Sequence, residues 1–167
     1  MVKAGLTVAL VAVLVAPALA DYSQPSGLSV RAGLYLAQGD GKDAEGQNWF
    51  LVGFDKKLKE GSFLGAENGH FSFSADYYGK GSFSNVPVLY NYTARQDGFY
   101  YSVGAGIGFG HRQTGANSSD SSLDFNYQFS VGKDLVKGGN VLFVEARYLG
   151  NSRPALAGFA LIGGVRF

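Results

Sequence analysis

Two histidines, a serine-rich stretch and a few scattered charges set the limits on the chemistry this chain can perform. His70-Phe71-Ser72 puts an imidazole and a hydroxyl two residues apart, and His111 precedes a serine-rich segment that contains Asp120. A hydroxyl becomes a nucleophile when a base touches it and an acid orients that base. Neither pattern fixes the third group, so no catalytic residue is assigned. Asp40, Asp43 and Glu45 gather three carboxylates in one short segment, but without the alternating ligands of a calcium loop. A solvated hairpin tip accounts for them, and no metal or cofactor is expected. Asn117-Ser118-Ser119 has the letters of a glycosylation acceptor and reads as loop composition. The remaining candidates are Arg31, Asp76, Glu145, Arg147 and Arg166. Their meaning depends on the faces of the elements that carry them.

Those elements are strands. Aromatic and β-branched residues alternate with polar or small ones in eight segments of roughly the 9–11 residues that a tilted membrane strand needs. The segments are 28–36, 49–55, 71–78, 86–93, 101–110, 124–131, 142–148 and 159–167. In the third, Phe71, Phe73, Ala75 and Tyr77 oppose Ser72, Ser74, Asp76 and Tyr78. In the fifth, Tyr101, Val103, Ala105, Ile107 and Phe109 oppose Ser102 and an unbroken row of alternating glycines from Gly104 to Gly110. An even count suits a closed antiparallel up-and-down barrel. Polar connections at 38–48, 79–85, 111–122 and 149–156 fall at one end. The turn signals Arg95-Gln96-Asp97-Gly98 and Lys137-Gly138-Gly139-Asn140 fall at the other. The stretch 56–68 is long for a turn at that second end.

The apolar face is assigned to the outside. A soluble barrel would present Lys, Glu and Thr to water, whereas the polar face here is glycine, serine and tyrosine with few charges. Inside a crowded lumen the glycines make room for Trp49, Tyr35, Tyr78 or Tyr100. Outward aromatics also sort by height: Phe71, Tyr92, Tyr101 and Phe167 near one rim, and Phe50, Tyr77, Phe109, Phe125, Tyr148 and Phe159 near the other. Two such girdles around Val, Leu, Ile and Ala are what a transmembrane β-barrel offers lipid. Arg31, Asp76, Glu145, Arg147 and Arg166 then face inward and should pair across the lumen as a structural plug.

Composition and the amino end agree. The start of the chain has Lys3, an apolar run over 4–15 and Pro17-Ala18-Leu19-Ala20, the pattern of a signal peptide over 1–20 cleaved after Ala20. The barrel domain is then 21–167. Without Lys3, 13 basic residues face 13 acidic ones, which gives no electrostatic reason to expect nucleic acid. With no cysteine, an exported chain has no disulfides to stabilise it.

At the carboxyl end, Gly163-Gly164-Val165-Arg166-Phe167 resembles the terminal strand of bacterial outer-membrane proteins. Val144-Glu145-Ala146-Arg147-Tyr148 resembles their last hairpin in the broad OmpA/OmpX-like and opacity-protein class. The resemblance implies an outer-membrane location, an assembly signal in Gly163, Val165 and Phe167 read by the barrel-assembly machinery, and outer-membrane lipid and lipopolysaccharide as surroundings. It implies no substrate and no extracellular ligand, because that class hosts many roles. His70-Phe71-Ser72 matches the His-x-Ser tripeptide of outer-membrane lipid A deacylases, though on the opposite side of the membrane and without their flanking residues. His111 beside an outer loop faintly resembles the arrangement in lipid A palmitoyltransferases. The expectation is a monomeric outer-membrane barrel with a structural or surface-interaction role and no open pore. A lipid A-modifying acyl hydrolase or acyltransferase and a narrow solute channel are the alternatives.

Overall fold

The computed structural model describes residues 27–63, 68–115, 118–135 and 140–167. The expected signal peptide, Asn117 and most of the Lys137-Gly138-Gly139-Asn140 turn lie outside them. Eight strands run in chain order: β1 (Leu28–Ala37), β2 (Asn48–Glu60), β3 (Gly69–Lys80), β4 (Phe83–Gln96), β5 (Phe99–Gly115), β6 (Ser118–Asp134), β7 (Val141–Asn151) and β8 (Gly158–Arg166). Each pairs antiparallel with its sequence neighbours, and β1 pairs with β8, so the sheet closes into an up-and-down barrel. Closure joins β1 to β8 and so removes the open sheet edge that lipid does not tolerate in a β protein.

Residues 27 and 167 meet at one end, here called lower. There Gly27 donates its N–H to Phe167 O at 2.9 Å, and Phe167 donates to Leu28 O at 2.8 Å. The lower β4–β5 turn is tight because Asp97 (φ 53°) and Gly98 (φ 82°) both adopt left-handed backbone, the twist that a two-residue hairpin requires. Along β3 and β4 the ladder passes from Ala75↔Val88 directly to Tyr78↔Asn85. The gap falls at Pro87, which has no N–H to donate.

The upper connections depart from the sequence reading. Residues 38–48 hold a short helix, α1 (Gly39–Glu45), rather than an open loop. The expected 111–122 loop is instead a continuation of β5 and β6, paired out to Gly115↔Ser118. Pairing between neighbouring strands satisfies backbone groups there without needing an apolar face, so alternation does not reveal it. A 3₁₀ turn (Pro154–Leu156) stands between β7 and β8. The long 56–68 stretch resolves in part: β2 runs on to Glu60 with a bulge between Lys57 and Lys59, and residues 64–67 lie outside the described set.

The wall is inside-out relative to a soluble protein. Phe54, Tyr101, Ile107, Phe109, Leu123, Phe125, Phe129 and Leu161 are exposed on its outer face, whereas Ser74, Asp76, Asn85, Asn91, Asn126 and Gln128 are buried within. An apolar surface of this extent belongs against lipid, because soluble monomers rarely expose apolar patches beyond a few hundred Å². Tyr92 keeps its outward place but is covered, its ring 5.4 Å from that of Phe63 and 5.1 Å from Phe71. Phe167 differs from expectation. It is buried and lines the lower mouth rather than standing out on the rim.

Candidate functional site

The interior has three levels. At mid-height, Arg31 (β1), Gly53 (β2) and Asp76 (β3) share one register row. A Cβ on Gly53 would overlap the Asp76 carboxylate, so glycine there is the gap through which Arg31 reaches two strands away. Arg31 donates from Nε to Asp76 Oδ1 at 2.7 Å and from Nη2 to Oδ2 at 2.8 Å. From across the lumen, Arg147 donates from Nη1 to Asp76 Oδ2 at 2.9 Å and from Nε to Glu145 Oε1 at 2.6 Å. The Tyr100 hydroxyl completes the set by donating to Glu145 Oε2 at 2.9 Å. All five side chains are buried. Two cations and two carboxylates cancel, and the bidentate geometry is the strong form of this pairing. Buried charges are tolerable only when matched in this way.

Arg166 does not join them. It sits lower, donating to Asp134 Oδ1 at 2.9 Å, while Arg95 donates to Asp134 Oδ2 at 2.6 Å. Four of the five sequence candidates therefore meet in one cluster and the fifth belongs to another. Gly53, Arg95 and Asp134 complete the clusters and were missed, whereas Tyr100 was expected in the lumen but not as a partner of Glu145. Their inward parity was the available signal, but parity cannot tell which inward residues share a height.

Above the charges the lumen is sealed by rings. Tyr35 and Tyr78 stack at 4.2 Å between centroids, and both hydroxyls donate to Leu156 O at 2.7 Å. Trp49 packs beside Tyr35 at 5.6 Å and donates its indole N–H to Gly46 O. Glu45 at the end of α1 accepts from Ser82 N at 2.9 Å. The helix and the 3₁₀ turn are thus held over the upper end as a lid. Among the described residues, no group of His, Asp or Glu is arranged to hold a metal.

The glycine row of β5 serves different neighbours from those expected. Built Cβ atoms at Gly104 and Gly108 would meet Asn91 and the Asn85–Asn126 pair, members of an amide network. Asn85 Nδ2 lies 2.9 Å from Asn126 Oδ1, and Gln128 donates to Asn91 Oδ1 at 2.6 Å. The aromatics instead lie against other glycines: Trp49 on Gly41, Tyr100 on Gly132 and Tyr35 on Gly158.

Below the charges lies a vestibule of about 530 Å³, open at the lower end and lined in part by Ser29, Asp55, His70, Arg95, Asp134 and Arg166. His70 and Ser72 both face this interior, but the Ser72 hydroxyl donates to Asp55 Oδ2 at 2.7 Å, so its proton is committed to a carboxylate and not to the imidazole. His111 Nδ1 lies 3.0 Å from Ser121 Oγ across the β5–β6 hairpin. Asp120, the acid nearest in sequence, is engaged by Arg153 at 3.1 Å.

No known protein-family signature and no curated protein sequence matches the chain. Solved structures do. The N-terminal β-barrel domain of Pseudomonas aeruginosa OprF superposes with a TM-score of 0.50 at 10% identity, covering 85% of this chain and 97% of that one. The outer membrane enzyme PagL gives 0.49 at 15% identity, over 83% of this chain and 99% of that one. The Yersinia pestis outer membrane protein Ail gives 0.46 at 16%, over 84% and 98%. Likeness at such identities concerns the fold alone. The chain has the fold of the small eight-stranded outer-membrane barrels.

Proposed function

We propose that this protein is a monomeric integral barrel of the bacterial outer membrane with a structural or surface-interaction role and no open pore. Export is through a cleaved signal peptide and insertion through the barrel-assembly machinery. The lower end faces the periplasm, and the lid of α1 and the 3₁₀ turn faces outward among lipopolysaccharide. The observation that carries this reading is the double seal: the ionic cluster at mid-height and the Tyr35–Tyr78–Trp49 layer above it leave the lower vestibule blind. Eight strands enclose only enough space for side chains, and here side chains fill it. The docked lid gives the outer end a preset surface, with Asp40, Lys42 and Asp43 exposed on it.

Two measurements test this together. In cells, the protein should fractionate with the outer membrane and shift in gel mobility between unheated and boiled samples. In planar bilayers, the folded monomer should show no steady conductance. Large steady conductance would replace this reading with a channel, and a soluble periplasmic protein would end it.

A further inference from the structure

A depression with a charge at its edge lies on the outer wall where β6, β7 and β8 meet. By register, Lys133 of β6 lies between Phe99 of β5 and Val144 of β7, with Gly163 of β8 beyond Val144. One row up, Val131, Ala146 and Leu161 follow one another across β6, β7 and β8. The next row is aromatic, with Tyr148 and Phe159 at 5.0 Å between centroids. Below this aromatic row Val131, Val144 and Ala146, flanked by Phe99 and Leu161, line a shallow hollow of about 540 Å³. A Cβ built on Gly163 meets no atom within 4 Å. The exposed Lys133 closes the lower edge, its Nζ 4.9 Å from the Phe99 ring centroid. The carboxylates next to it in space, Asp134 and Glu145, both turn inward to arginines. Among the described residues, Lys133 is therefore the one charged side chain that faces outward at this hollow.

We propose that this hollow binds an acidic glycerophospholipid of the lower leaflet, with an acyl chain over Val144 and Ala146 and the phosphate on Lys133. The proposal rests on the membrane-barrel reading above. An apolar floor calls for hydrocarbon, and an ammonium at the rim that makes no ion pair among the described residues calls for an anion. The long stem of Lys133 lets its head reach the polar boundary while its methylenes stay on the wall. A second copy of the chain fits less well, because a two-fold contact centred here would bring two Lys133 side chains together.

The test is native mass spectrometry of the folded barrel in detergent, titrated with phosphatidylglycerol and with phosphatidylcholine of the same chains. Phosphatidylglycerol should be retained in preference. Lys133→Gln should lower that preference about fivefold, the ratio equivalent to ~1 kcal/mol for one basic residue near an anionic surface. Ala146→Phe, which fills the floor, should weaken retention of both lipids. Lys59→Gln is the control: its Nζ also stands over an aromatic ring, that of Phe71 at 5.4 Å, on the far side of the barrel, and the preference should survive its loss. Equal retention of the two lipids by the parent, or an unchanged preference in Lys133→Gln, overturns the proposal. A dimer that Ala146→Phe dissociates also overturns it, by giving the hollow to a second copy. Fractionation and heat-shift of the parent separate the cases: an inserted barrel without lipid preference sinks this inference alone, whereas a soluble parent sinks the membrane reading.

Discussion

Neutralising Asp76 should be among the most damaging single changes available in the lumen. Asp76 accepts three charge-assisted bonds at 2.7–2.9 Å, two from Arg31 and one from Arg147. Its side chain is fully buried, and those of both arginines are nearly so. Asp76→Asn keeps the shape but leaves two guanidinium groups facing one carboxylate, Glu145. Its amide N–H₂ also meets donors where an acceptor stood. Breaking a buried pair from one side costs about 3–5 kcal/mol, roughly a thousandfold in the folding equilibrium. Removing both partners of the Arg31–Asp76 pair, as in Arg31→Met with Asp76→Leu, leaves the Arg147–Glu145 pair balanced and should recover most of the loss, to within about 2 kcal/mol of the parent. The assay is equilibrium denaturation in phospholipid vesicles, followed through Trp49, the single tryptophan and a buried one. If Asp76→Asn stays within about 1 kcal/mol of the parent, or the double variant is as unstable as the single one, the cluster is not the balanced plug described here.

Three further outcomes follow from the same structure. Ala146→Arg should cost about 2–4 kcal/mol, because Ala146 faces the apolar wall in the middle of β7, whereas Ser119→Arg at the exposed β5–β6 tip should be tolerated; folding yields into liposomes compare them, and equal effects would invert the inside and outside of the wall. Gly108→Val should lose about 1–3 kcal/mol by overpacking, since its Cβ runs into Asn126 and Asn85, while Gly163→Ala, with open space at its Cβ, should change stability by less than about 0.5 kcal/mol; denaturation midpoints decide. Deleting Phe167 removes the two backbone bonds that tie the end of β8 to β1. It should cut outer-membrane insertion in cells sharply while folding into micelles suffers much less, and undiminished insertion would discard the assembly role given to Gly163, Val165 and Phe167.

Alternation by itself determined the eight strands and, within the paired segments it marked, the face of nearly every residue, Phe167 being the exception. Period-2 patterning is a local property of a pleated chain, and lipid outside makes every violation costly. Phe73, Tyr101 and Leu161 outside, with Ser74, Ser102 and Ile162 within, were legible for that reason. Only closure decided the partners. A residue's height in the barrel depends on strand tilt and on the stagger accumulated around the ring, which no single segment contains. Arg31 and Arg147 therefore meet at Asp76 from opposite walls, whereas Arg166, equally inward, lands beside Asp134. The lid is tertiary too. Residues 39–45 are a poor helix by composition, with two glycines in seven. They are held because Gly41 fits between Trp49 and the Ala155 carbonyl, Glu45 caps the β3–β4 turn, and Tyr35 and Tyr78 anchor the facing 3₁₀ turn at Leu156 O. Those contacts join residues up to 121 positions apart, a distance over which sequence pattern carries no register.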